Sequence, residues 1–331
     1  MAAGLRAMSR YARQMLLPDV GAEGQARLSR AHVAVVGAGG LGCPVIQYLA
    51  GAGVGRITVV DPDHVEESNL HRQTLYRMAD LGRPKAEAAR EAVRGLNPAV
   101  AVQARVEALG PTEVAGIVRD CDLIMDTADS FAVSYILSDA CLRLGKPLIS
   151  ASVLGQTGYV GGFCGPAPSL RAVFPELPLS GARCATAGVL GPAVGVIGAL
   201  QAQIALRTLL AATPSALGQM VTADLALLRF GGFCFSGTPE PEPAQVFPFI
   251  AASGLRSDDL IVELRDPQEA PHPISAGALR LGLDAAGALD PAPGQRVVLC
   301  CQSGLRAWRA AAALRARGAG AIALLAATAC A

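Results

Sequence analysis

Lysine is almost missing from this chain: Lys85 and Lys146 are the only two in 331 residues, so arginine supplies the rest of the 28 basic side chains. Aromatic residues are scarce, at 4% with one tryptophan, and charged residues reach only 17%. Basic and acidic residues nearly cancel, 28 against 27, which removes any electrostatic drive toward nucleic acid or an anionic membrane. None of the nine cysteines pairs as C-x-x-C, and their number is odd. A disulfide framework or a cysteine-rich zinc module is therefore disfavoured, and a reducing cytoplasmic setting fits the thiols. The N-terminus has arginines but no continuous apolar run, so a secretory signal is not expected. With 52% hydrophobic residues, disorder is disfavoured as well.

What is abundant is apolar surface, with a mean hydropathy of +0.39. The stretch from Cys184 to Leu206 is uncharged and long enough to span a bilayer. Its glycines, Pro192, Gln201 and Gln203, and the lack of an aromatic belt, point instead to a buried helix. The length suggests two domains. An apolar strand over 31–36 runs into Gly37-Ala38-Gly39-Gly40-Leu41-Gly42, a helix follows, and a second strand over 56–60 ends at Asp61. Further strands (101–106, 123–125, 147–150) alternate with helical segments (84–95, 131–144), and 155–163 has the character of an antiparallel addition. Alternation of this kind predicts an α/β fold with a doubly wound, Rossmann-like, mostly parallel sheet. Gly237–Gln245 is a proline-rich linker, and a smaller α/β pattern follows it.

A G-x-G-x-x-G turn after a strand, with an acid at the end of the next strand, first suggests an NAD(P)-dependent oxidoreductase. The downstream residues argue for another ligand. Ser68-Asn69-Leu70-His71-Arg72-Gln73 places a fixed cation after the second strand, Lys85 opens the next helix, and Asp126-Thr127-Ala128-Asp129 ends a strand. Two cations, and acids able to hold Mg²⁺, suit a triphosphate better than a nicotinamide.

The ordered set GAGGLG, Asp61, SNLHRQ, Lys85 and DTADS resembles the MoeB/ThiF adenylyltransferases, relatives of the ubiquitin-activating enzymes. Arg10-Tyr11-Ala12-Arg13-Gln14 is similar to that family's N-terminal motif, and Cys184 sits in a similar cysteine-loop context. Cys301-Gln302-Ser303-Gly304-Leu305-Arg306 resembles a rhodanese C-x-x-G-x-R loop, with Leu264–Glu269 similar to its early strand and turn. The expected organisation is an adenylyltransferase domain over 8–236, a linker over 237–252 and a rhodanese-like domain over 253–331.

The resemblance implies ATP-dependent adenylation of the C-terminal glycine of a ubiquitin-like sulfur carrier ending in GlyGly. The activated carrier would then receive sulfur, in molybdopterin, thiamine or tRNA-thiolation metabolism. Gly39 and Gly40 would let the backbone approach the nucleotide, and Asp61 would hold ribose, with a turn cap as its alternative role. Ser68, Asn69, Leu70 and His71 would belong to the nucleotide loop, with Asn69 helping to position phosphates clamped by Arg72 and Lys85. Asp129 would bind Mg²⁺, beside Ser130 where asparagine is usual. Arg13 would reach the nucleotide site of a second subunit, which implies a homodimer. Cys184 is a candidate nucleophile, with a buried structural thiol as the alternative. Cys301 would carry sulfane sulfur, a cysteine desulfurase being a possible donor, while Cys300 would face the opposite side of its strand. The two zinc-binding C-x-x-C pairs of many relatives would fall at 169–172 and after Phe233; only Cys234 is present there, so no zinc is expected. A carrier-binding scaffold without catalysis is the competing reading from a different functional class.

Overall fold

The computed structural model describes residues 10–176 and 188–327. Helix α1 (Gly21–Arg30) leads into β1 (His32–Val36), a run of small and β-branched apolar residues. Successive β1 side chains go to opposite faces: Val33 and Val35 enter one core, Ala34 and Val36 the other. A strand covered on both sides reads as continuously apolar for this reason. The chain then turns through the glycine loop into α2 (Gly42–Ala52) and returns as β2 (Arg56–Val60). It continues through α3 (Lys85–Leu96), β3 (Ala101–Arg105), α4 (Val114–Asp120), β4 (Leu123–Asp126), α5 (Phe131–Leu144) and β5 (Pro147–Leu154).

With β6 (Thr157–Cys164), β7 (Gln219–Asp224) and β8 (Arg229–Cys234), these strands form one eight-stranded sheet in the order β3-β2-β1-β4-β5-β6-β7-β8. The first five are parallel. The antiparallel extension comprises β6, β7 and β8. One face is covered by α2 and α3, the other by α4 and α5. The strand order reverses between β1 and β4, which opens a crevice at their carboxyl ends.

After α6 (Leu170–Val173), α7 (Gly191–Leu209) packs on the α2 face. The sequence pattern had this helix beginning at Cys184; the structure begins it at Gly191, with Pro192 in the first turn where its missing N–H costs nothing. Cys184 itself lies outside the described residues. Among those residues, no helix is long and apolar enough to cross a membrane. Gln201 is fully buried on α7, and its Nε2 donates to the carbonyls of Asp126 at 2.6 Å and Ile149 at 3.0 Å, tying the end of β4 to the first half of β5.

The second unit contains β9 (Leu260–Glu263), β10 (Leu279–Arg280), α8 (Leu283–Gly287), β11 (Val297–Cys301), α9 (Leu305–Ala316) and β12 (Ile322–Ala326). Its strands form a parallel sheet in the order β10-β9-β11-β12. Within the stretch read as a linker, Phe247 is buried in this unit's core and Phe249 pairs with Leu324 of β12. At the first expected zinc position, Ser169 caps α6 and donates its hydroxyl to Glu240 Oε2 at 2.6 Å, while its N–H donates to Glu240 Oε1 at 2.6 Å. Two residues on, Arg171 forks onto Asp139 at 2.6 and 2.9 Å and reaches the Phe247 carbonyl. These bonds fasten the crossover after β6 to the segment that follows β8. Among the described residues, no group of three or more His, Cys, Asp or Glu is placed to hold a metal ion.

Candidate active site

The glycine loop is fixed by its own backbone. Gly37 has φ +99°, and a Cβ there would lie 2.7 Å from the Thr127 carbonyl; a Cβ on Gly42 would lie 2.1 Å from the Gly37 carbonyl. Only glycine allows the strand to turn this tightly into α2. Ala38 is the hub: its N–H donates to Asp61 Oδ2 at 2.6 Å, and its carbonyl accepts from the Tyr76 hydroxyl at 2.7 Å and the Cys43 thiol at 3.7 Å. Burial pushes the Cys43 thiol up to about 12, so it stays protonated and inert. The loop leads into the N-terminus of α2 beside the crevice, where an anion is favoured.

Asp61 is buried, with its carboxyl raised by desolvation and drawn back by the nearby Lys85 ammonium. Its two oxygens accept from Ala38 and from the Asp63 N–H, at 2.8 Å, so it braces the turn while lining the crevice. Lys85 opens α3 with Nζ donating to Asp63 Oδ2 at 2.8 Å; the lysine is buried and the aspartate exposed. Arg72 is held by its neighbours, its Nη1 donating to His71 Nε2 at 2.7 Å and its Nη2 to Asn69 Oδ1 at 3.3 Å. Asp126 is buried at the end of β4, accepts from Ser150 Oγ at 2.7 Å, and is pushed up to about 6 by desolvation.

A cavity of about 870 Å³ brings these groups together. Gly39, Gly40, Asp61, Asn69, Arg72, Lys85, Asp129 and Ser130 all line it. Ser68, Leu70 and His71 do not: Ser68 bonds outward to Glu66, Leu70 packs on the core, and His71 supports the arginine. Arg13 is exposed and outside this chain's cavity. The cavity also takes in Gln73, Glu107 and Leu109, and on the β5–β6 side Ser150, Val153 and Tyr159. Glu107 and Leu109 follow β3, and their position after a parallel strand was the available signal. Among the described residues, Gln73 Oε1 and Ser130 Oγ are buried and have no hydrogen-bond partner, which leaves them for a ligand.

Cys301 ends β11 with its side chain in the core of the second unit, and its Sγ accepts from the Ala307 N–H of α9 at 3.3 Å. Cys300 lies in the cluster on the opposite face, as the strand period requires. Gly304 stands at the N-terminus of α9 with φ +85°. Arg306 bonds to the Leu264 carbonyl at 3.1 Å and to Glu269, which raises the arginine further. The turn after β9 is tied by Asp266, whose Oδ1 accepts from the N–H groups of Gln268 and Glu269.

The ThiF family profile matches residues 11–242. The chain belongs to the ThiF family. It is 42% identical over 264 residues to the sulfur carrier protein adenylyltransferase of Thermus thermophilus, covering 75% of this chain and 97% of that one. It is 45% identical over 218 residues to the adenylyltransferase and sulfurtransferase MOCS3 of Bos taurus, covering 65% of this chain and 48% of the relative. The chain thus spans about half the length of such adenylyltransferase-sulfurtransferase relatives. Its fold matches Escherichia coli MccB with a TM-score of 0.63 at 21% identity, over 70% of this chain and 73% of that one.

Proposed function

We propose that this ThiF-family chain is an ATP-dependent adenylyltransferase that activates the C-terminal glycine of a ubiquitin-like sulfur carrier, and that its second unit is rhodanese-like and supplies sulfur to the activated tail. The observation that carries this reading is the single cavity at the sheet's switch point, where the glycine loop, Arg72, Lys85 and Asp129 meet. The carrier carboxylate attacks the α-phosphate of ATP, the bond to pyrophosphate breaks, and an acyl-adenylate remains. Charge builds on phosphate oxygens, and Arg72 and Lys85, held in place before the reaction, stabilise it. Asp129 is an exposed oxygen donor on the cavity wall, suited to the Mg²⁺ that accompanies the triphosphate. Asp61 and Asn69 hold and position the nucleotide, and Glu107, Ala108 and Leu109 lie beyond them, in reach of the base.

Sulfur arrives as a persulfide on Cys301, loaded by a cysteine desulfurase or another sulfane donor. The N–H of Ala307, the start of α9 and the Arg306 charge favour an anionic sulfur there. The terminal sulfur attacks the acyl carbon, the carbon–oxygen bond to the phosphate breaks, and AMP leaves. A thiol then opens the acyl disulfide, forming a mixed disulfide with Cys301 and releasing the thiocarboxylate. Arg13, exposed near the N-terminus, completes the site of a second subunit in a homodimer. A reducing cytoplasmic setting suits this thiol chemistry.

The nicotinamide reading loses ground to the two cations, and the scaffold reading to the ordered retention of Arg72, Lys85, Asp129 and Cys301. The test is carrier-dependent exchange of labelled pyrophosphate into ATP. Exchange that collapses in Asp129→Ala supports adenylation; ATP binding without exchange for any GlyGly-ended carrier supports the scaffold.

A further inference from the structure

The thiol loop and the nucleotide crevice belong to different units, yet they share a wall. Gln302 and Ala327, from the second unit, line the same cavity as Lys85 and Asp129. Gln302 directly follows Cys301, so the chain passes from the buried thiol to the cavity surface in one residue. Gly304 sits so close to the first unit that a Cβ on it would lie 3.3 Å from the Cβ of Ala132, and 2.8 Å from the ring of Phe249. Ala132 is in the first turn of α5, the helix that Asp129 and Ser130 lead into. Around this contact, Leu305 of α9 packs with Tyr135 of α5, joined by Phe131, Phe249 and Trp308. Phe249 also packs on the main cores of both units, and Ala326 of β12 enters the α5-side core. The Arg171 fork to Asp139, with its bond to the Phe247 carbonyl, fastens the entry to the second unit against α5.

We infer that sulfur hand-off is intrachain: each chain's thiol loop, docked on α5 through Gly304, Leu305 and Phe249, serves the nucleotide pocket of that same chain. This rests on the adenylation and sulfur-transfer reading above and adds to it which thiol meets which adenylate. The physical reason is proximity. Cys301 stands one residue from Gln302, which forms part of the wall of the cavity in which the acyl-adenylate is generated. A thiol tethered one residue from the cavity wall acts at an effective concentration that no separate chain in dilute solution reaches. Phe249 is a positioning residue in this arrangement: it touches neither nucleotide nor thiol chemistry, and its ring fills the space between the loop glycine and α5.

Complementation tests the inference. Full-length Asp129→Ala and Cys301→Ser proteins are prepared separately, then mixed and allowed to exchange subunits. Mg-ATP, a GlyGly-ended carrier, thiosulfate as sulfane donor and dithiothreitol as the releasing thiol are added, and carrier thiocarboxylate is measured by mass spectrometry. Alone, neither protein forms thiocarboxylate, but Cys301→Ser retains pyrophosphate exchange and Asp129→Ala retains loading of sulfur on Cys301. Intrachain hand-off predicts that the mixture stays at least about tenfold below an equal amount of wild-type protein. A mixture reaching about a quarter of the wild-type yield or more overturns it, because randomly exchanged dimers hold that share of complementing pairs and the thiol of one chain would then be serving the adenylate of another. Thiocarboxylate from Cys301→Ser alone, or no exchange by the wild type, would instead strike at the underlying function. In a second arm, Phe249→Ala is expected to keep exchange and Cys301 loading while losing about tenfold in thiocarboxylate yield. Loss of all three together would mark Phe249 as structural only and remove it from the argument.

Discussion

The glycine loop after β1 and the thiol loop after β11 are the same device built twice. Each is a parallel strand that turns, through a glycine with positive φ, into the N-terminus of a helix, where an anion is favoured. They differ in what holds them. The first loop is braced on several sides, by Asp61 and Tyr76 at Ala38 and by the Thr127 hydroxyl, which donates to the Gly37 carbonyl at 2.6 Å. The second is held by the Ala307 N–H on sulfur and by the Arg306 contacts to Leu264 and Glu269, and it leans on α5 through an apolar surface. A rigid cradle suits phosphates that must be oriented for in-line attack. A loop resting on an apolar contact suits a sulfur that is loaded by one partner and given to another.

That contrast is broken most severely at Gly42. A methyl group there would stand 2.1 Å from the Gly37 carbonyl, so Gly42→Ala must distort the turn itself. Pyrophosphate exchange is expected to fall at least about a hundredfold, equivalent to about 3 kcal/mol of transition-state stabilisation. Gly304→Ala meets a softer neighbour, the edge of the Phe249 ring at 2.8 Å. Its expected signature is reduced thiocarboxylate yield with exchange little changed; equal loss of exchange in both variants would erase the distinction between the loops. Next in size is the cation at the head of α3. Lys85→Met removes the ammonium that Asp63 holds in the cavity, and a loss of about ten- to a hundredfold in exchange is expected, with Cys301 loading untouched.

The same contrast explains what could be read from the chain. β2 and α5 fall where the apolar pattern put them, and β1 and α3 differ by a residue at their ends, because each has a buried face with a clear period and a glycine or proline at its boundary. β8 escaped notice because all six of its residues are exposed, so no alternation marks it. Four residues of the nucleotide loop show the limit more finely. Ser68, Asn69, Leu70 and His71 are adjacent, yet only Asn69 lines the cavity, since the 3₁₀ turn at Glu67–Asn69 points its neighbours to solvent, core and arginine in turn. Motif order located the loop; local turn geometry decided which side chains enter. Glu107 carries no motif at all, and only the strand order places it in the crevice.

A smaller effect is expected at the hydrogen-bonded fastening after β6. Ser169→Ala removes the cap that accepts from the N–H groups of Arg171 and Ala172 and the hydroxyl donated to Glu240. A cost of about 1–2 kcal/mol is expected, read as a drop of a few degrees in Tm, with the Glu240 contact to the Ser169 N–H retained. A chelator is expected to leave the wild-type Tm unchanged, because these hydrogen bonds join the two segments among the described residues. Chelator sensitivity would show that this fastening is not what holds the crossover.

The finest test concerns Asp126, the acid buried beneath the crevice. Desolvation raises it to about 6 from an ordinary value of 3.8, so between those values the folded protein binds a proton that the unfolded chain has released. Stability from this group is therefore fully present below about 4 and is lost as pH rises through about 6, the reverse of a salt-bridged carboxylate. Asp126→Asn keeps the shape and can still accept from Ser150, but has no proton to lose. The Tm of the wild type relative to the variant should accordingly decline across that window. A constant difference would mean that Ser150 and the Ala128 N–H compensate fully for burial, and that the floor of the adenylation site is as well braced as the glycine loop above it.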